Sequence, residues 1–333
     1  MILCRTLGPI EVTLDGGPAP ADLLWRKNLA LLIYLARSSR RTRSRDHLVG
    51  LLWGDRTETA ARHSLSEALR VIRRHAGDTA VEAAGGQIRL APGAIEVDVE
   101  HLEALAESEQ WEQAAELIAG EFLEGFAVPG ASEFENWLTS ERETWRRRGV
   151  DVLVRAADAL AQAGRTHEAS AHAARALALD PVSERGLTAS LRCLSLLGDR
   201  AGALELYDRF AGRLKDVVGT DPGEETRALL ERIRRERSLR PELAGDLSGG
   251  VATLRAPFEG RAGELSRLLQ AVGRSARERL ATVLVLEGDS GVGKTRLLEE
   301  LLARLRLDGF SIATARAVEA DHEEPWSGLL ALA

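Results

Sequence analysis

Three features of this 333-residue sequence predict a multidomain, mainly α-helical protein. A short segment of strands and helices with net positive charge comes first. A helical periodicity of 34 residues follows, and a glycine-rich loop between an apolar run and a helix lies near the C-terminus. The length exceeds one ordinary core and fits two or three domains. An apolar share of 44% and a charged share of 29% are ordinary for folded chains, which excludes the disordered and membrane classes. The longest apolar stretch, residues 29–36, is far short of a bilayer span. No continuous apolar segment follows the N-terminus, so a cytoplasmic protein without a membrane partner is expected. Cys4 and Cys193 lack metal-ligand spacing and are expected as buried thiols.

Residues 1–95 hold 14 Lys and Arg against 9 Asp and Glu, a net charge of +5 in a chain whose total is −7, leaving −12 for the rest. Residues 2–14 read as strand, turn, strand, broken at Gly8-Pro9 and closed by Asp15-Gly16-Gly17. A helix over 26–37 gathers Leu29, Leu32, Ile33 and Ala36 on one side. Ser44 fits the N-cap of a second helix, which carries Leu48, Leu51 and Leu52 and ends at Gly54. Trp25 and Trp53 are expected in the core.

A third helix, over 59–75, places Ala61, Leu65, Ala68, Leu69 and Ile72 within about 100° of one another. Its other side collects Arg62, His63, Ser66, Arg70, Arg73 and Arg74. A helix of this width fits the major groove of double-stranded DNA, where Arg forks onto guanine and Ser or His reaches base edges. Arg73 and Arg74, near the helix end, suit backbone phosphates better than bases. Residues 81–84 and 87–90 flank Gly85-Gly86 as a hairpin. Such a hairpin forms a wing, with Arg89 placed for the minor groove or backbone. The domain expected is a winged helix-turn-helix. The competing expectation is a small α/β domain whose third helix only faces water.

Residues 96–238 are almost wholly helical. Gly164 and Gly198 are 34 apart, as are Leu153 and Leu187, Leu160 and Leu194, Ala169 and Ala203, and Ala173 and Tyr207. That is the period of a tetratricopeptide (TPR)-like α-solenoid, with Gly at the turn and Ala where helices approach closely. Asp180-Pro181 ends one unit. An earlier, less regular pair is expected over 101–126, with Trp111, Ala114 and Ala115. A concave stack of this kind binds protein.

Residues 239–257 read as a linker, and 258–333 as the N-terminal part of an α/β P-loop NTPase domain, cut short before its catalytic half. An apolar strand over 282–286 runs into Gly288, Asp289, Ser290, Gly291, Val292, Gly293, Lys294 and Thr295, and a helix follows over 296–305. The backbone N–H groups of such a loop and the helix N-terminus cradle phosphate. Lys294 is expected on the β/γ-phosphates and the Thr295 hydroxyl on Mg²⁺, with ATP or ADP as the nucleotide. One further strand is expected over 311–317. Asp321, Glu323 and Glu324 lie in a polar stretch and not at a strand end, so efficient ATP hydrolysis by this chain is not expected.

These stretches resemble a known family. Leu7-Gly8-Pro9-Ile10-Glu11-Val12 with Asp15-Gly16, then Leu51-Leu52-Trp53-Gly54-Asp55, then Ala61-Arg62-His63-Ser64-Leu65 running to Leu69-Arg70, resemble the winged-helix domain of antibiotic-regulatory (SARP-type) activators. That domain is similar to the response-regulator effector class. Val97-Asp98, Phe122-Leu123 with Phe126, and residues 214–233 with Gly219-Thr220-Asp221-Pro222 are similar to the bacterial transcriptional activator domain of the same family. Residues 258–295, with Gly260-Arg261, resemble the start of AAA-type/STAND ATPase domains, although Glu259 replaces a usual hydrophobic residue. The resemblance implies self-association on promoter DNA and contact with RNA polymerase and its sigma factor. The alternative is an NTP-switched STAND-type signalling ATPase or scaffold whose N-terminal domain makes protein contacts.

Overall fold

The computed structural model describes residues 1–239, 258 and 260–315. Nearly all of the expected linker, Glu259, the end of the expected strand over 311–317, and Asp321, Glu323 and Glu324 lie outside the described residues. The chain forms two units, residues 1–156 with 175–180, and residues 157–174 with 181–333.

The first unit opens with β1 (Ile2–Arg5), β2 (Glu11–Leu14) and β3 (Gly17–Pro18). Next come α1 (Arg26–Arg37), β4 (Thr42–Ser44), α2 (Arg45–Trp53) and α3 (Glu58–Ala76). Then follow β5 (Val81–Ala84), β6 (Gln87–Leu90) and β7 (Ile95–Val97). One sheet has the order β3-β2-β1-β7, with β1 antiparallel to β2 and parallel to β7. The other has the order β4-β6-β5 and is antiparallel throughout. Helix α1 packs against both sheets, α2 and α3 pack on α1 and on the second sheet, and this is a winged helix. Ser44 caps α2 by accepting from the His47 N–H. Gly85 and Gly86 both have positive φ, the backbone that a two-residue turn between β5 and β6 requires.

Trp53 is buried in this core, but Trp25 is 68% exposed, which corrects the expectation for it. Trp25 sits one residue before α1, where its carbonyl accepts from Asn28 and Leu29, and the fully buried Leu23 is the nearby core anchor. Position at a helix entry decided which way the ring went, not its hydrophobicity.

The helical part begins with α4 (Asp98–Glu107) and α5 (Trp111–Glu116), and continues with the long α6 (Ser132–Gln162). It is stitched to the first strand. The Asp98 carboxylate accepts from Thr6 N at 2.8 Å, Thr6 Oγ1 at 2.6 Å and Leu7 N at 3.0 Å. Arg142 on α6 donates to the carbonyls of Phe122, Leu123 and Phe126, fixing the loop before that helix. Helix α7 (Thr166–Leu179) contributes residues to both units, with 166–174 in the second and 175–179 in the first.

The second unit contains the helices α8 (Glu184–Leu197), α9 (Arg200–Val218) and α10 (Glu224–Leu239). Gly164 and Gly198, one repeat apart, have φ of +81° and +82°. Only that left-handed turn lets the chain reverse so tightly, and Gly adopts it without strain. Leu153, Leu187, Ala169 and Ala203 are all buried, so matched repeat positions do matched work. Glu184 accepts from Gly223 N and Thr226 Oγ1 and ties the start of α10 to α8.

The C-terminal segment contributes α11 (Ala262–Glu278) and α12 (Lys294–Leu307), which share a small core of Leu265, Leu297, Leu301 and Leu305. The strand expected over 282–286 is not formed. Val283 and Val285 are 88% and 72% exposed, and only Leu286 turns partly into the small core. A buried parallel strand needs hydrogen-bonding neighbours at its edges, and residues 260–315 supply no second strand. Residues 311–315 are likewise not a strand. Cys4 and Cys193 are both buried and free. Burial pushes the Cys4 thiol up and the Cys193 thiol up to about 12, so both stay protonated.

Candidate functional site

Helix α3 buries Ala61, Leu65, Ala68, Leu69, Val71 and Ile72 and leaves Arg62, His63, Ser66, Arg70 and Arg74 exposed. The aliphatic side fixes its position in the winged helix, and the polar side is held outward as a consequence. The structure also gives the partners of four of these groups. Arg62 pairs with Asp46 at 3.0 Å and with Glu58 at 2.9 Å. Ser66 accepts from Arg45 Nη1 at 3.3 Å while donating to the Arg62 carbonyl. Arg70 donates through Nε and Nη2 to Glu67 Oε2. Arg74 pairs with Asp22, which also contacts His75. Arg89, on β6, is exposed and lies 3.9 Å from Glu82.

Arg73 departs from the sequence expectation. Its Nε and Nη2 both donate to the Val81 carbonyl, at 3.0 and 2.9 Å. The two donors expected on a phosphate instead staple the end of α3 to the first strand of the hairpin. The alternation of the antiparallel ladder explains why. Ala80 O accepts from Ala91 N, so the next carbonyl, on Val81, points away from β6 and off the sheet edge. Arg73 satisfies it.

Arg45 and Glu67 belong to this surface and were not singled out from sequence. Glu67 could have been, because it lies four residues after His63 and three before Arg70 on one helix. Arg45 comes from α2, and only the fold brings it to Ser66.

The glycine-rich loop over 288–295 leads directly into α12. Gly291 and Gly293 have φ of +82° and +88°, a conformation that turns successive N–H groups to one side. The α12 N-terminus has no side-chain cap, so its first-turn N–H groups remain available to an anion. Lys294 Nζ folds back onto the carbonyls of Gly288 and Asp289, both at 2.8 Å. Arg261, from the Gly260-Arg261 pair, lies alongside: its Nε is 3.9 Å from where a Cβ on Gly293 would stand. A Cβ on Gly291 would meet nothing within 4 Å. The loop therefore fits a polyphosphate: open backbone, an uncapped helix end and two cations.

A winged helix, a tetratricopeptide-like solenoid and a phosphate loop in one chain define the class: a multidomain protein with a P-loop module. The bacterial transcriptional activator domain model matches residues 94–234, and the AAA ATPase domain model matches residues 257–332. A winged helix followed by these two domain matches makes the chain similar to the SARP-type regulators. It is 28% identical over 335 aligned residues to the regulatory protein AfsR of Streptomyces coelicolor, a match covering 90% of this chain and 32% of AfsR. It is 27% identical over 249 residues to the transcriptional regulatory protein EmbR of Mycobacterium tuberculosis, covering 70% of this chain and 63% of EmbR. The chain thus spans about a third of one relative and under two thirds of the other. A solved structure of Mycobacterium tuberculosis EmbR in complex with a low affinity phosphopeptide shares the fold, with a TM-score of 0.57 and 22% identity. That likeness covers 84% of this chain and 72% of the EmbR chain. Among the described residues no helix is long and apolar enough to cross a membrane.

Proposed function

We propose that this chain is a DNA-binding transcriptional activator that docks α3 in the major groove of promoter DNA with the β5–β6 hairpin as its wing. One observation carries this: an amphipathic helix locked by its aliphatic side presents Arg62, His63, Ser66, Arg70 and Arg74 outward. Arg62, His63, Ser66 and Arg70 face base edges, and Arg74 and Arg89 face phosphates. Arg73 supports the wing. The domain boundaries proposed are 1–95 for the winged helix, 96–238 for the solenoid, 239–257 for the linker and 258–333 for the P-loop module. The solenoid is the surface for contact with the transcription machinery or with a second copy of the chain.

The P-loop module binds ATP or ADP with Mg²⁺ in this proposal. A bound nucleotide would supply the phosphate charge that these loop groups complement. N–H groups of 288–295 would hold the phosphate oxygens, Lys294 and Arg261 would neutralise their charge, and the Thr295 hydroxyl would be the candidate ligand for the metal.

A mobility shift of the full chain on promoter fragments, competed with unrelated duplex at physiological salt, tests the DNA reading. Retention of specific complexes is expected, with loss in a combined Arg62→Ala, Arg70→Ala variant. Equal competition by unrelated DNA, or unchanged retention by that variant, overturns it.

A further inference from the structure

Glu67 sits among the cations of α3, about 40° around the helix from His63 and about 60° from Arg70 at roughly 3.6 residues per turn. Its side chain is 46% exposed. Its Oε2 takes both the Nε and the Nη2 of Arg70. Among the described residues nothing else bonds Arg70 Nη1 or Glu67 Oε1. The carboxyl is held below its ordinary range first by the hydrogen bond from Arg70, and then, against desolvation, by the charges of Arg70, His63 and Arg74. It therefore meets a ligand as an acceptor only.

A carboxylate on a face turned to phosphates weakens binding to every duplex, so phosphate contact does not account for it. Base edges do. The major groove offers amino donors at cytosine N4 and adenine N6, and paired acceptors at guanine O6 and N7. A G·C pair presents the guanine acceptors and the cytosine amino group side by side. The Arg70–Glu67 pair presents donors and an acceptor side by side in return.

We propose that Arg70 and Glu67 form one reading unit for a single G·C pair, with Arg70 donating to guanine and Glu67 accepting from cytosine N4. This rests on α3 being the recognition helix. The bond between the two side chains also holds Arg70 in place before docking, so less side-chain freedom is lost on binding. Arg62 is held differently, shared between two exposed acids, Asp46 of α2 and Glu58 of α3.

Selection of duplexes from a random pool by the full chain, as wild type, Glu67→Gln and Glu67→Ala, tests the proposal. Wild type is expected to enrich a G·C pair at one fixed position. Both variants should show a weaker preference at that position and keep the rest of the motif. The best duplex is then remade with 2-pyrimidinone, which is cytosine without its 4-amino group, at that position. Wild-type affinity should fall by about fivefold or more, and Glu67→Ala should bind both duplexes alike. Identical motifs from wild type and Glu67→Ala, or equal sensitivity to the missing amino group, overturn the reading unit and leave α3 as the recognition helix. A pool in which wild type enriches nothing overturns both.

Discussion

Replacing Arg73 with Ala removes two charge-assisted hydrogen bonds to one carbonyl. Each donor sits at normal length, 3.0 and 2.9 Å, and Val81 itself is buried at the edge of the sheet. A bond to a charged donor contributes about 1.5–3 kcal/mol, and partial solvation of this guanidinium puts the pair near the lower end, about 1.5 kcal/mol. The loss falls on the hairpin, because β5 is an edge strand and Arg73 fastens it to α3. Amide hydrogen exchange across 81–90 reads this directly. A change of about 1.5 kcal/mol in local opening is roughly tenfold in protection. Arg73→Lys should recover less than half, because an ammonium cannot fork onto the carbonyl. DNA binding gives a second readout. A residue that contacts phosphate contributes about 0.9 to the slope of log affinity against log salt, and Arg73→Ala should change that slope by less than about 0.3. Unchanged protection in the hairpin, or a slope change near a full contact, would refute the staple.

Arg70→Ala should weaken specific binding by roughly 1–3 kcal/mol, measured by anisotropy on the selected site, while nonspecific affinity changes far less. Asp98→Ala strands two backbone N–H groups and a hydroxyl at Thr6 and Leu7, both buried, and should destabilise the first unit by about 3 kcal/mol or more, seen as an earlier thermal transition. Lys294→Ala should abolish binding of a fluorescent ATP analogue and leave that transition unmoved. Burial pushes the Asp22 carboxyl up, yet the hydrogen bond and charge of His75 with backbone N–H bonds hold it below its ordinary 3.8. A depressed folded value means that its stabilisation is complete above about pH 4 and lost as pH falls further. Acid unfolding should therefore be less steep in Asp22→Asn.

What could be read from sequence was what neighbours along the chain decide. The apolar stripes of α1 and α3, the Gly85-Gly86 hairpin and the paired turns at Gly164 and Gly198 depend on spacings of a few residues, and they formed where the spacing put them. Features set by distant partners were not readable. Asp98 meets Thr6 across 92 residues, and Arg74 meets Asp22 across 52. Val283 and Val285 read as a strand, but a strand is a property of a pair.

The same limit bears on charge. Counting cations along α3 gives a strongly basic face, whereas the fold supplies an acid to most of them: Asp46 and Glu58 for Arg62, Glu67 for Arg70 and Asp22 for Arg74. Each exposed pair is worth little to stability. Each also lowers the field that a phosphate meets before the pair opens. Long-range attraction is therefore weaker than the net charge of residues 1–95 suggests, and discrimination must come at contact, where the pairs open or are read whole. A salt slope close to the full count of exposed cations on α3 and the wing would contradict this, because it would require those acids to have no effect on the bound state.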